Sequence, residues 1–361
     1  MSLTDSARIY PQRLFLRPFS GLFAAVVYLR NRFYDWGVLR ARRLPVPVIS
    51  VGNLSAGGTG KTPLVLSLAK MLRDPPYQKA PAVLSRGYRR KSTGYQLVSA
   101  GEGPLCSWEV SGDEPQLMAR KLSRVPVAVD RDRVRGGQAL MGAFSLRVIL
   151  LDDAFQYRRL RRDLDIVLLD AQRDLNDSLL PLGLLREPLS ALKRAHLILL
   201  CSQSDAKTHF DEAWRTGSSF FGAERLAAFR TKPSGCFDLR SGESVPTSAL
   251  SGKRIIPFCG IAKPAGFLKT LEEVGADFPY LIRFPDHHHY KPADVERLAQ
   301  AYVRHQAHFL ITTEKDAVKL GGLFVALPIL VLQIEIEWLR GLENLRRELN
   351  RLFPANSENR I

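Results

Sequence analysis

Cysteine is scarce in this chain, with four among 361 residues, and Cys106, Cys201, Cys236 and Cys259 are scattered without any C-x-x-C spacing. Neither a disulfide framework nor a cysteine zinc site is indicated, and a reducing, cytoplasmic setting fits. Long apolar runs are also missing. The unbroken stretch Gly21 to Leu29 falls well short of the ~20 residues needed to span a bilayer, and no small-residue cleavage site follows it. Internal repeats and low-complexity tracts are absent, which leaves a globular chain long enough for two domains with real cores. Negative charge is in deficit, since 36 acidic against 52 basic side chains leave a net charge of +16. That balance favours anionic partners, either nucleic acid or an acidic membrane surface, without choosing between them.

What is present centres on the stretch Val48-Ile-Ser-Val-Gly-Asn-Leu-Ser-Ala-Gly-Gly-Thr-Gly-Lys-Thr62. A β-branched apolar run passes through a glycine-rich turn into a helical pattern from Leu64 to Leu72, the strand, loop and helix context of a phosphate-binding loop. Its candidate phosphate ligands are Ser55, Ala56, Gly57, Gly58, Thr59, Gly60, Lys61 and Thr62. The glycines let backbone N–H groups turn inward around a polyphosphate, and the helix N-terminus adds partial positive charge. Lys61 is placed to reach the β and γ phosphates, and the Thr62 hydroxyl to hold Mg²⁺. Ser55 stands where the usual pattern opens with glycine. The plain alternative is a glycine turn with no ligand.

Upstream, Phe19, Leu22, Val26, Leu29, Phe33 and Trp36 recur at spacings of three and four, one apolar stripe on a helix. Arg30, Arg32, Arg40, Arg42 and Arg43 crowd its end. A basic helix with such a stripe suits the surface of a membrane, and equally suits packing on its own domain.

From Pro45 onward strands and helices alternate, as a parallel sheet demands. Strands are expected at Ala82–Ser85, Val125–Val129, Arg147–Leu151, Asp165–Leu169 and His196–Cys201. Ser202–Ser219 is polar. Further strands are expected near Arg254–Phe258, Tyr280–Phe284, His308–Thr312 and Leu327–Ile334, and a final helix at Trp338–Phe353. The fold class is therefore α/β: a nucleotide-binding core with a largely parallel sheet over residues 45–224 and a smaller α/β domain over 225–361, preceded by the basic helix within 1–44.

Asp152 and Asp153 close the strand ending at Leu151, where such folds place a Mg²⁺-orienting carboxylate. Asp113 follows a glycine and leads into a helix, as either an N-cap or a general base. His287, His288 and His289 are consecutive, so their side chains alternate in direction and do not converge on one metal ion.

The blocks SVGNLSAGGTGKTP, SRGYRRK, SGDEPQL, LDDAFQYRRLRRDLDIVLLD, PLGLLREP, FCGIAKPAGF, FPDHHHY and TTEKDAVKL, in order from about Pro45 to Leu320, resemble the tetraacyldisaccharide 4'-kinases, the lipid A kinases of Gram-negative bacteria. The resemblance implies ATP-dependent phosphorylation of the 4' hydroxyl of a tetraacylated glucosamine disaccharide 1-phosphate, by a peripheral protein on the cytoplasmic face of the inner membrane. It implies a catalytic pair of Asp113 and His287, with Arg133, Arg186 and Glu187 serving the site. Glycine often stands in that family at the place of Ala154, which raises the question of a positive φ there.

Two other classes share parts of the pattern. Partitioning ATPases carry a similar loop, but their signature lysine falls at Ala56. A nucleic-acid-binding ATPase would explain the charge and the cluster Arg158, Arg159, Arg161 and Arg162, yet no recognition motif surrounds it.

Overall fold

The computed structural model describes residues 15–57, 60–170, 177–202, 207–321, 323 and 326–354. Helix α1 (Arg17–Asp35) carries the expected apolar stripe, and the stripe is bare: Phe19, Leu22, Val26, Leu29, Phe33 and Trp36 are all exposed. Ser20 and Val27, on the other side of the helix, are the residues it buries. Polar contacts hold that side down. The Ser20 hydroxyl donates to the Leu179 carbonyl at 2.9 Å, Arg158 reaches the Asn31 carbonyl at 2.9 Å and pairs with Asp35 at 2.7 Å, and Arg30 pairs with Glu187.

Strand β1 (Val48–Asn53) is buried along its whole length and delivers the chain to α2 (Lys61–Arg73). Next come β2 (Pro81–Ser85), β3 (Gln96–Ser99), the one-turn α3 (Trp108–Ser111), α4 (Asp113–Lys121), β4 (Val127–Val129), α5 (Arg133–Ala143) and β5 (Val148–Asp152). The first half closes with β6 (Leu164–Asp170), β7 (Leu197–Ser202) and α6 (Lys207–Phe221), so part of the polar stretch 202–219 is helical. In the second half β8 (Leu226–Asp238) and the two-residue β9 (Ser244–Val245) precede β10 (Ile255–Cys259), α7 (Pro264–Glu273), β11 (Ile282–Arg283) and α8 (Pro292–Arg304). The chain continues through β12 (Phe309–Thr313), α9 (Glu314–Leu320), β13 (Ile329–Arg340) and α10 (Leu342–Leu352).

Among the described residues these strands join into a single sheet ordered β11, β10, β12, β13, β8, β7, β6, β1, β5, β2, β4, β3, with β9 beside β8. Pairing is parallel except for β13 with β8, β8 with β9 and β3 with β4. The near-continuous apolar runs follow from helices covering both faces. Ile49 and Val51 of β1 pack with Leu64 and Leu68 of α2, Met118 of α4, and Leu345 and Leu349 of α10. Val48 and Ile149, pointing the other way, pack with Leu140 of α5. In the second half α8 covers Ile256 and Leu310, while α7 covers Ile255 and Ile311.

One expectation fails. Trp338 does not begin the final helix; it lies in β13, which runs on to Arg340. The strand is extended by its partner: Glu335 and Glu337 form ion pairs with Lys232 and Arg230 of β8, while Ile336 and Trp338 turn to the core under α2. The long partner strand, β8, had no expected counterpart in the sequence pattern.

Candidate active site

β1 sits between β5 and β6, so the chain passing from β1 to α2 crosses the carboxyl ends of three parallel strands. Crevices of this kind, where neighbouring strands lead off in different directions, are where open α/β sheets bind nucleotides. Gly52 is required by proximity, because a Cβ there would sit 2.6 Å from that of Phe155 and 2.8 Å from its backbone nitrogen. Gly57 and Gly60 take positive φ, as a tight phosphate loop needs. Gly58 and Thr59 lie outside the described residues. Ser55 and Ala56 are braced from a distant segment: Ser55 forms a bridge with Leu185, and the Ala56 N–H donates to the Leu184 carbonyl at 2.7 Å. Serine in the opening position therefore still permits the loop.

Lys61, the first residue of α2, points its ammonium at Asn53 Oδ1 at 2.9 Å and at Asp153 at 3.3 Å. Thr62 follows it in the first turn of α2 and is half-buried. Arg186 forks onto the same Asp153 carboxylate at 3.0 and 3.2 Å. Burial acts to raise the Asp153 pKa, but Lys61 and Arg186 outweigh it and hold the carboxyl below its ordinary range. Asp152 differs. Burial, with the charges of Glu114 and Asp153 added, pushes its carboxyl up to about 7 against the opposing pull of Lys61 and a 2.9 Å hydrogen bond from Ser85. Its other oxygen, Oδ1, is buried with no hydrogen-bond partner. The strained backbone belongs to Asp153, at φ 49°, and not to Ala154, so alanine in that place costs no strain.

Arg133 begins α5 and is buried, its guanidinium over the ring of Tyr157 and one nitrogen donating to the Arg131 carbonyl at 3.2 Å. Burial lowers its pKa, and Asp152 and Asp153 oppose that. Glu187 departs from the expected grouping. Its carboxylate is fully buried between Arg30 of α1 and Arg194, so it anchors α1, while its neighbour Arg186 turns to Asp153.

Asp113 is the first residue of α4, not its cap; Gly112, at φ 93°, holds the N-cap position. Asp113 Oδ1 accepts the Glu114 N–H at 2.9 Å, and Oδ2 lies 2.7 Å from His287 Nδ1. His287 stands at φ 60° in the loop after β11, its own N–H held by the Gly260 carbonyl at 3.0 Å. Gly260 is fixed in turn by Asp316, which accepts its N–H at 3.1 Å. Burial works to raise the Asp113 pKa, yet the His287 hydrogen bond and the charge of Lys315 keep the carboxyl below its usual range. His288 and His289 go elsewhere, His288 to Asp294 at 2.9 Å and His289 against Trp108.

A buried ionised carboxylate paired with an imidazole, beside a lysine-bearing phosphate loop, is an arrangement for moving a proton next to a polyphosphate. The sequence pattern of one family, Tetraacyldisaccharide-1-P 4'-kinase, matches residues 12–353. The chain belongs to that family. The tetraacyldisaccharide 4'-kinase of Syntrophus aciditrophicus is 41% identical over 338 residues, covering 90% of this chain and 89% of the relative. The enzyme of the same name from Aquifex aeolicus is 41% identical over 308 residues, covering 85% and 90%. A crystal structure of LpxK from Aquifex aeolicus in complex with ATP superposes with a TM-score of 0.78 at 36% identity, covering 95% of this chain and 99% of that one.

Within this 4'-kinase family fold, four contributors went unassigned in the sequence: Asn53, which orients Lys61; Glu114 and Lys315, which flank Asp113; and Ser85, which binds Asp152. Each lies inside or beside a block quoted above. Their residue types, however, look like ordinary surface or strand-end polar groups until the chain is folded.

Proposed function

We propose that this chain transfers the γ-phosphate of ATP to the 4' hydroxyl of a tetraacylated glucosamine disaccharide 1-phosphate, with Asp113 as the base. The observation that carries the reading is the 2.7 Å contact between Asp113 and His287, brought together from opposite halves of the sheet. Asp113 is buried yet held ionised, and its carboxylate keeps acceptor capacity beyond the bonds from His287 and Glu114. It takes the proton of the acceptor hydroxyl as the oxygen attacks phosphorus, and His287 orients it. The bond formed is O4'–P, the bond broken is that between the γ-phosphorus and the bridging oxygen, and ADP leaves.

The loop from Ser55 to Thr62 supplies backbone donors, and Lys61 supplies the cation for the β and γ phosphates. Arg186 and Arg133 add positive charge beside it. The residues present fit Mg²⁺: Asp152 Oδ1 is a buried carboxylate oxygen with no partner, next to Asp153 and near the start of α2, where Thr62 lies. Mg²⁺ generally takes one or two carboxylates with phosphate and water oxygens, so Thr62, Asp152 and Asp153 are sufficient protein ligands. When bound, the ion would neutralise charge on the transferring phosphates.

The protein meets its lipid substrate as a peripheral protein on an anionic membrane surface, the cytoplasmic face of the bacterial inner membrane. The bare stripe of α1 and the arginines after it support this. No helix among the described residues is long and apolar enough to cross a membrane. The organisation into a basic helix (1–44), a nucleotide-binding core (45–224) and a smaller α/β unit (225–361) belongs to the same proposal. The test is transfer of labelled γ-phosphate from ATP to a lipid A disaccharide 1-phosphate in detergent or vesicles. Label in the lipid is the expected result; ATP hydrolysis without lipid labelling overturns the reading.

A further inference from the structure

Lys315, the second residue of α9, reaches from the second half of the sheet to the first turn of α4. Its ammonium lies 3.1 Å from Glu114 Oε1, 3.4 Å from His287 Nε2 and 3.8 Å from Asp113 Oδ2, with its side chain only 20% exposed. A second bridge, Lys121 to Glu314 at 2.6 Å, ties the same two helices together. The Thr313 side chain caps α9 and fixes the direction in which Lys315 leaves it.

The chemistry of this contact is one-sided. An ammonium has three donors and no acceptor, so the ring nitrogen facing it must be the one without hydrogen. That leaves the ring proton on Nδ1, where it is donated to Asp113. Asp286 Oδ2 stands 3.7 Å from Nε2 and competes for the opposite arrangement. Without the ammonium the ring would have carboxylates at both nitrogens, and a hydrogen on Nε2 would satisfy Asp286.

We propose that Lys315 is a positioning residue for phosphoryl transfer, which fixes the His287 tautomer and holds the Asp113 carboxylate ready to accept the substrate proton. The proposal rests on the assignment of Asp113 as the base. The groups facing Asp113 are His287, Lys315, the more distant charge of Lys319 and the Glu114 N–H; those facing His287 are Asp113, Asp286, Lys315 and the ring of Tyr88. Burial opposes the charge on Lys315, but Glu114 and Asp113 outweigh it and hold its pKa above the ordinary lysine value, so it stays charged across the working range.

The test is the pH dependence of kcat for Lys315→Met and Lys315→Arg beside the wild type, with ATP titrated at each pH. Loss of the positive charge lets the Asp113 pKa rise. The acid limb for Lys315→Met should therefore move to higher pH by about one unit, the scale for removing one nearby opposite charge. At neutral pH its kcat should fall at least about tenfold, with the KM for ATP within about threefold, because the phosphate loop is untouched. Lys315→Arg keeps the charge and should return the limb to its wild-type position even where the rate is only partly restored. If Lys315→Met does not fold, Lys315→Gln, neutral and polar, carries the same measurement. An acid limb that stays in place in the neutral variant, or that Arg fails to restore, overturns the role of Lys315. Asp113→Asn separates the two readings: normal turnover in that variant overturns the base assignment, whereas its loss beside an unmoved limb overturns Lys315 alone.

Discussion

The phosphate end and the acceptor end of the proposed site are assembled over different distances along the chain. Lys61 and the Asn53 that orients it are eight residues apart, whereas Asp113 and His287 are separated by 174. At the phosphate end, one strand, one loop and one helix start place the key cation, and a single sequence motif announces it. At the acceptor end nothing functional exists until β10, β11 and α9 have folded against α4. The difference teaches that binding ATP and using it are separable here. Damage confined to the loop after β11 or to the start of α9 should abolish transfer while sparing the nucleotide.

The sharpest way to break that contrast is at Asp113. Asp113→Ala should lower kcat by about 10²–10⁴-fold, the range for a general base, while ATP affinity measured by equilibrium binding stays within a few-fold. Asp113→Ala combined with His287→Ala should cost little more than Asp113→Ala alone, because residues acting as a unit are not additive. Fully multiplicative losses would separate the two residues and return Asp113 to a structural role at the start of α4.

Lys61→Ala should cost about a hundredfold or more in kcat/KM, the scale for deleting one preorganised charge-stabilising donor, and unlike Asp113→Ala it should weaken ATP binding as well. Activity within about tenfold of wild type, or ~1.4 kcal/mol of barrier, would detach this loop from ATP.

A smaller effect is expected at the strand end. Asp152→Asn and Asp153→Asn should each shift the Mg²⁺ dependence of the rate to higher concentration, since a neutral amide does not offset the cation's charge. Titrations that overlay wild type for both variants would remove these carboxylates from the metal site. Least affected should be Phe19→Glu with Val26→Glu on the bare face of α1. Activity on a soluble short-chain substrate should hold while vesicle binding falls and the KM for vesicle-borne lipid rises several-fold. Unchanged vesicle flotation would mean that this stripe does not meet the bilayer.

Legibility in the sequence follows the same division. The parallel core could be read because each strand buried on both faces is a short apolar run, and Asp152 and Asp153 stood out as charges at the end of one. β8 could not be read: Lys232, Pro233, Ser234 and Gly235 interrupt its pattern, and its pairing with β13 supplies what its composition lacks. Trp338 was misplaced for the reciprocal reason, since Leu339 to Leu352 has helical periodicity and only cross-strand pairing tells where it starts. Glu187 was grouped with the site, beside Arg186, by the family resemblance. Arg186 lies toward Asp153 while Glu187 turns under α1 to Arg30 and Arg194, a division that exists only in the folded chain. The stripe of α1 was plain, but whether it was covered depended on contacts that no periodicity encodes.

The packing of α10 bears on how the chain is made. Leu345 and Leu349 complete the same core as Ile49 and Leu64, yet they are translated almost three hundred residues later. A growing chain thus holds its phosphate loop above an unfinished apolar surface until residues 342–352 have been made. Release before that point leaves two fully buried leucine sites empty, each a loss of roughly 2–5 kcal/mol. Premature termination near the C-terminal end should therefore yield aggregation-prone chains and no partly active, nucleotide-binding fragment.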